Sequence, residues 1–173
     1  MRVMVAYATK SGSTAGIAEA IADELRKMGL EADVHEVDGV RDLAPYGAVI
    51  LGSAVYIGKW RKEALRFGSR FAAELAKRPV WLFESGPTDA SADEGKAVPA
   101  KGAAKLASQI GARQHVVFGG KFAPEDVGEF TRRMIAKSDK SPYGDFRNFD
   151  RIRGWARAIG AELQGAKPVE AVA

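Results

Sequence analysis

Two repeat lengths of apolar and polar positions alternate along this chain, and the switches between them mark its elements. Val3-Met4-Val5-Ala6-Tyr7-Ala8 is a continuous apolar run, the pattern of a strand buried on both faces. Behind it Ile17, Ile21, Leu25 and Met28 recur at helical spacing, and Gly29 closes the helix. Positions 31–37 alternate as a short strand, and Ala48-Val49-Ile50-Leu51-Gly52, introduced by Pro45-Tyr46, is a second buried run. A helix is predicted over 62–77 with Leu65, Phe67, Phe71 and Leu75 inward. Pro79 opens the strand Val80-Trp81-Leu82-Phe83, and a polar loop over 85–99 leads to a helix over 101–110. Val116-Val117-Phe118, closed by Gly119-Gly120, is a fifth strand. A last helix over 149–163 turns Ile152, Ala156, Ile159 and Leu163 inward.

Five β–α alternations predict one α/β domain over 1–164, with a parallel sheet, right-handed crossovers and helices on both faces. The segment 165–173 reads as a flexible tail. Ligands of such sheets bind beyond the carboxyl ends of the strands. The first of these ends carries Thr9-Lys10-Ser11-Gly12-Ser13-Thr14, four hydroxyls and one glycine directly ahead of a helix. The first helical turn has unpaired N–H groups and the positive end of the helix dipole, so it favours an anion. GxxxxGK[ST] and GxGxxG are both absent, which excludes a triphosphate P-loop and a dinucleotide fingerprint. A phosphomonoester held by neutral donors remains; the alternative is a hydroxyl-rich helix cap that binds nothing.

Thr9-x-Ser11-Gly12-x-Thr14 at the end of a first strand resembles the FMN-phosphate loop of flavodoxins. The resemblance implies a three-layer sandwich whose five-stranded parallel sheet has the order 2-1-3-4-5. It also implies noncovalent FMN that carries the redox chemistry, without a catalytic side chain. Two further loops would then meet the flavin. In Ser53-Ala54-Val55-Tyr56-Ile57-Gly58-Lys59-Trp60, Tyr56 is the first candidate to stack on the ring and Trp60 the second; packing onto the next helix is the alternative. Ser85, Gly86, Pro87 and Thr88 would offer amides and hydroxyls to the polar edge of the ring, or form a plain surface turn.

Phe118-Gly119-Gly120-Lys121-Phe122, then Gly144-Asp145-Phe146-Arg147 before Ile152-Arg153-Gly154-Trp155-Ala156-Arg157, is similar to a flavodoxin sub-family. That sub-family includes the menaquinone-dependent protoporphyrinogen IX dehydrogenases. It implies a quinone or redox-protein partner and a porphyrinogen substrate whose propionates would pair with Lys59, Arg61 and Lys121. The competing reading is an electron carrier of flavodoxin type without a small-molecule substrate. The inserted segment 121–148 far exceeds the usual βα connection of about 2–6 residues. It carries the stripe Val127, Phe130, Met134, Ile135 beside Arg132, Arg133, Lys137 and Lys140, but also Glu125, Asp126 and Glu129. The region 125–140 is therefore either a peripheral membrane contact or a helix that buries this stripe over the sheet edge.

Charge and composition sharpen this reading. The net charge of +4 and pI of about 9.4 set the chain apart from acidic electron carriers and suit anionic lipid or a carboxylate-bearing substrate. The cations are interspersed with acids and carry no nucleic-acid motif. Cysteine is absent, so disulfides and thiolate chemistry are excluded. His35 and His115 stand alone in the sequence, which predicts structural roles and no metal. With no signal-peptide layout and no run long enough to span a bilayer, a cytoplasmic location is expected, peripheral at the inner membrane face at most. Nothing in the sequence specifies an oligomeric state.

Overall fold

The structure, a computed structural model, describes residues 1–138 and 142–165; Lys140 of the basic set and 166–173 of the expected tail lie outside them. Five strands form the parallel sheet: β1 (Arg2–Ala8), β2 (Glu31–Glu36), β3 (Ala48–Tyr56), β5 (Val80–Ser85) and β6 (Gln114–Phe118). Their order is β2-β1-β3-β5-β6, which is 2-1-3-4-5 counted among the parallel strands. The short β4 (Lys59–Trp60) folds back antiparallel on the end of β3.

The continuous apolar runs arise because alternate residues serve two separate cores. Val3, Val5, Ile50, Trp81 and Phe83 face α1 (Ser13–Lys27) and α6 (Phe149–Leu163), where Ile17, Ile21, Leu25, Ile152 and Ile159 are buried. Met4, Ala6, Val49, Leu51, Val80 and Leu82 face the other layer, built by α2 (Lys62–Arg70), α3 (Ala72–Leu75) and α4 (Lys101–Ile110). Burying each large aliphatic side chain stabilises by about 1.5–3 kcal/mol, so both faces of the sheet must be covered. The flavodoxin-like sandwich is the result.

Three local differences from the sequence expectation have physical causes. The helix expected over 62–77 is two, α2 and α3, broken at Phe71 (φ −102°, ψ 15°) just past the weak helix formers Gly68 and Ser69. β3 does not stop at Gly52 but runs on to Tyr56, so Ser53-Ala54-Val55-Tyr56 is strand rather than loop. Ile57 (φ 50°) and Gly58 (φ 67°) then form a two-residue hairpin turn that pairs Val55 with Trp60 and Tyr56 with Lys59. In the inserted segment, β7 (Lys121–Phe122) and β8 (Gly144–Asp145) close a ribbon, and α5 (Glu129–Ala136) lies beyond it. α5 buries none of its residues, and Phe130 and Met134 are 79% and 56% exposed, so the stripe does not cover the sheet edge.

α1 and α6 are tied across their shared layer by Arg157, which donates to Glu24 Oε1 at 2.9 Å. That hydrogen bond, with Lys27 3.5 Å away, holds the Glu24 carboxyl below its ordinary range. A depressed carboxylate contributes stability above its unfolded pKa of about 4.3, lost as pH falls through the folded value. Glu24→Gln is therefore expected to lower the urea midpoint at pH 7, with a deficit that shrinks as pH falls below the unfolded value and through the folded one. A deficit that stays the same size as pH falls would show that the pair is not its source.

Candidate functional site

The loop after β1 turns at Gly12, whose φ of 83° strains any other residue and whose N–H donates to Thr9 Oγ1 at 3.0 Å. α1 begins at the next residue with no side-chain cap and no acid in its first turn. Its leading N–H groups are left for an incoming acceptor. Thr14 is fully buried and its Oγ1 has no partner among the described residues, an orphan of the kind an anionic ligand resolves.

Four strand ends converge here on one cleft of about 210 Å³. The β1 loop supplies Thr9, Lys10, Ser11 and Ser13 to its wall; Gly12 and Thr14 form the start of α1 between and after them. The β3–β4 hairpin supplies Ala54, Val55, Tyr56, Ile57 and Arg61. Ser85, Gly86 and Thr88 come from the β5 loop, and Gly120, Lys121, Phe122 and Asp126 from the segment after β6. At the mouth Tyr56 is 50% exposed, with the Lys10 ammonium 4.4 Å from its ring centroid.

The walls are pinned to one another. Ser13 Oγ accepts the Lys121 N–H at 3.0 Å and lies 3.3 Å from Ser85 Oγ, so one hydroxyl joins three loops. Gly120 donates to the Pro87 carbonyl at 2.8 Å, which places Pro87 behind the lining and holds the β5 loop to the inserted ribbon. Ser53 is buried; its Oγ accepts the Arg61 N–H at 2.9 Å and fixes the base of the hairpin. The Arg61 side chain leans on Glu63 at 3.3 Å.

The hairpin divides the expected ring contacts. Trp60 shares the face of Val55 and turns inward, 4% exposed and edge-on to His115 at 5.9 Å, so it is not part of the cleft wall. Gly58 and Lys59 line a neighbouring apolar groove with Leu65 and Val98. Of the three cations expected near a substrate, the cleft holds Arg61 and Lys121, not Lys59.

Val55, Gly120, Phe122 and Asp126 line the cleft although the sequence, which placed them in its motifs and loops, offered none of them as a site residue. The Gly119-Gly120 pair was their one sequence signal, since two glycines after a strand mark a close backbone approach. His115, alone in the sequence, has a carboxylate in space: its Nε2 lies 2.8 Å from Glu84 Oε1, without the alignment of a hydrogen bond. Among the described residues no cluster of metal-ligating side chains is present.

The chain belongs to the flavodoxin-domain family, whose model matches residues 4–148. Members of that family bind FMN. Protoporphyrinogen IX dehydrogenase [quinone] of Escherichia coli (strain K12) is 27% identical over 81 residues, 46% of this chain and 45% of the relative's own length. Among solved structures, an archaeal flavodoxin superposes with a TM-score of 0.64 at 14% identity, covering 95% of this chain and 99% of that one. Flavodoxin 2 from Bacillus cereus gives 0.61 at 22% identity over 95% and 99%. Rubredoxin oxygen:oxidoreductase from Desulfovibrio gigas gives 0.65 at 14% identity, over 95% of this chain and 36% of that one. At these identities the structures establish the fold.

The residues present fit FMN. An uncapped helix start, hydroxyls around it and the orphaned Thr14 Oγ1 suit a phosphate, and an exposed tyrosine beside small residues suits a flat ring. Among the described residues no helix is long and apolar enough to cross a membrane.

Proposed function

We propose that this chain is an FMN-dependent oxidoreductase of the protoporphyrinogen dehydrogenase type, passing electrons to a quinone. The observation that supports it most is one cleft joining a phosphate-ready helix start to an exposed tyrosine and the cations Arg61 and Lys121. FMN supplies electron acceptance and transfer through its ring. Thr9, Lys10, Ser11, Gly12, Ser13 and Thr14 hold its phosphate through backbone N–H groups and hydroxyls. Tyr56 offers a flat face to the ring, with Ala54 and Ile57 beside it. Ser85, Gly86 and Thr88 meet the polar edge, and Pro87 braces that loop. Trp60 anchors the hairpin from inside the core. Arg61 and Lys121 receive the carboxylates of the substrate, and no side chain serves as an essential acid or base.

The long insertion and the basic charge favour an enzyme over a simple carrier. The exposed Phe130 and Met134, on a helix that also carries Arg132 and Arg133, suit contact with an anionic membrane where a quinone is met. The 45% span of the curated relative leaves the reaction to experiment. The test is anaerobic turnover of FMN-loaded protein with protoporphyrinogen IX and a menaquinone analogue, presented in anionic or in neutral vesicles. Protoporphyrin should form, faster with anionic vesicles, and Lys121→Ala should raise KM more than it lowers kcat. No turnover from protein whose FMN dithionite still reduces would reject the dehydrogenase and leave the electron carrier.

A further inference from the structure

The inserted ribbon does more than extend the cleft, because it delivers a guanidinium to the phosphate loop. Arg147 follows β8 and is locked on several sides. Its Nε and Nη2 bond Asp145 Oδ1 and Oδ2 at 2.8 and 2.6 Å, and its plane lies over the Phe149 ring at 5.0 Å. Only 14% of the side chain is exposed. With two nitrogens of the fork engaged, the third, Nη1, points to α1 and donates to the Ser13 carbonyl at 3.4 Å. Nη1 also lies where a Cβ on Gly16 would be, 2.7 Å from it, so the helix surface is cut away to admit it.

The Asp145 carboxylate stabilises the guanidinium here, but the helix end by itself opposes it. The N-terminal turn of a helix carries positive partial charge, and a cation beside it is repelled. α1 has no acid in that turn to offset it, and Asp145 already shares its charge with the guanidinium. The hydrogen bond from Arg147 also holds the Asp145 carboxyl below its ordinary range. A dianion bound at the start of α1 reverses the balance, since it attracts both the helix terminus and the guanidinium.

We propose that Arg147 is a positioning residue for phosphate, acting through the first turn of α1 so that the cleft selects a phosphorylated flavin over an unphosphorylated one. The inference rests on the FMN reading of the cleft. Neutral hydroxyls and amides supply the direct contacts, and Arg147 supplies charge and fixes the Ser13 carbonyl from the side away from the ligand. It also explains why the inserted ribbon is fastened to the loop at Ser13 twice, by the Lys121 N–H and by Arg147.

The test compares FMN with riboflavin, which lacks only the phosphate, by quenching of flavin fluorescence. Arg147→Gln should weaken FMN about 5-fold, the effect of one charge at a helix end, and leave riboflavin unchanged. Gly16→Ala should act in the same direction, because the new methyl displaces Nη1 while alanine strengthens the helix, so a folding defect does not confuse it. Arg147→Lys should restore part of the loss. An equal loss for both flavins would reduce Arg147 to a structural brace, and an unchanged ratio in Gly16→Ala would overturn the proposal. Wild-type protein that binds neither flavin would overturn the cofactor reading, and this inference with it.

Discussion

Glu84→Ala is expected to destabilise the protein by about 2–5 kcal/mol, from a buried amide left without its acceptor and the cavity beside it, the largest single effect we foresee outside the apolar core. Glu84 sits on the central strand β5 and is 1% exposed. Its two oxygens accept the Ala100 N–H at 2.9 and 3.2 Å, and Oε1 lies 2.8 Å from His115 Nε2. Removing it leaves the buried Ala100 N–H without its acceptor, takes away the close neighbour of the His115 ring and opens a cavity. The loss reaches the cleft as well. Ala100 precedes α4 at the end of the loop that begins at Ser85, and His115 stands edge-on to Trp60, the inner anchor of the hairpin that presents Tyr56. Urea denaturation of Glu84→Ala, His115→Ala and the double variant measures the coupling. A non-additivity of about 1 kcal/mol or more is expected for groups in contact. Strict additivity would mean that the two side chains stabilise independently.

Thr14→Val should move stability and affinity in opposite directions. The Thr14 hydroxyl is buried without a partner among the described residues, which costs about 1–3 kcal/mol in the ligand-free chain. Valine keeps the shape and the β-branch but removes the orphan, so the cofactor-free protein should gain about 1 kcal/mol. A hydroxyl that donates to phosphate makes a charge-assisted bond of about 1.5–3 kcal/mol, so FMN affinity should fall at least about 10-fold. Urea midpoints of the apoprotein and FMN titration of the same samples read both shifts. A less stable apoprotein would show that Thr14 Oγ1 is satisfied within the fold. Unchanged FMN affinity would remove it from the phosphate site.

Tyr56 and Trp60 show where sequence reasoning loses its hold. Both are aromatics in one short stretch, Ser53 to Trp60, and nothing in their spacing separates them. The turn at Ile57 and Gly58 sets the pairing, and side chains alternate across a strand, so Val55 and Trp60 share one face while Tyr56 takes the other. Burial then follows from which face meets α4 and the His115 edge. The stripe on α5 left two readings open for a related reason. Amphipathic spacing states that a helix has an apolar face but not what covers it, and the β7–β8 ribbon holds α5 where nothing in the described chain does.

What the chain determines by itself is whatever lies within a few consecutive residues. The apolar runs of β1, β3 and β5, the helical spacing of α1 and α6, and the hydroxyl-rich turn from Thr9 to Thr14 are all of this kind, because backbone preference and burial period act locally. The tertiary structure alone decides which distant residues become neighbours. It brings His115 to Glu84, Lys121 and Arg147 to Ser13, and Gly120 to Pro87. The physical reason is that buried polar groups must find partners wherever the packed layers place them, and that placement follows from strand order and hairpin register rather than from local sequence.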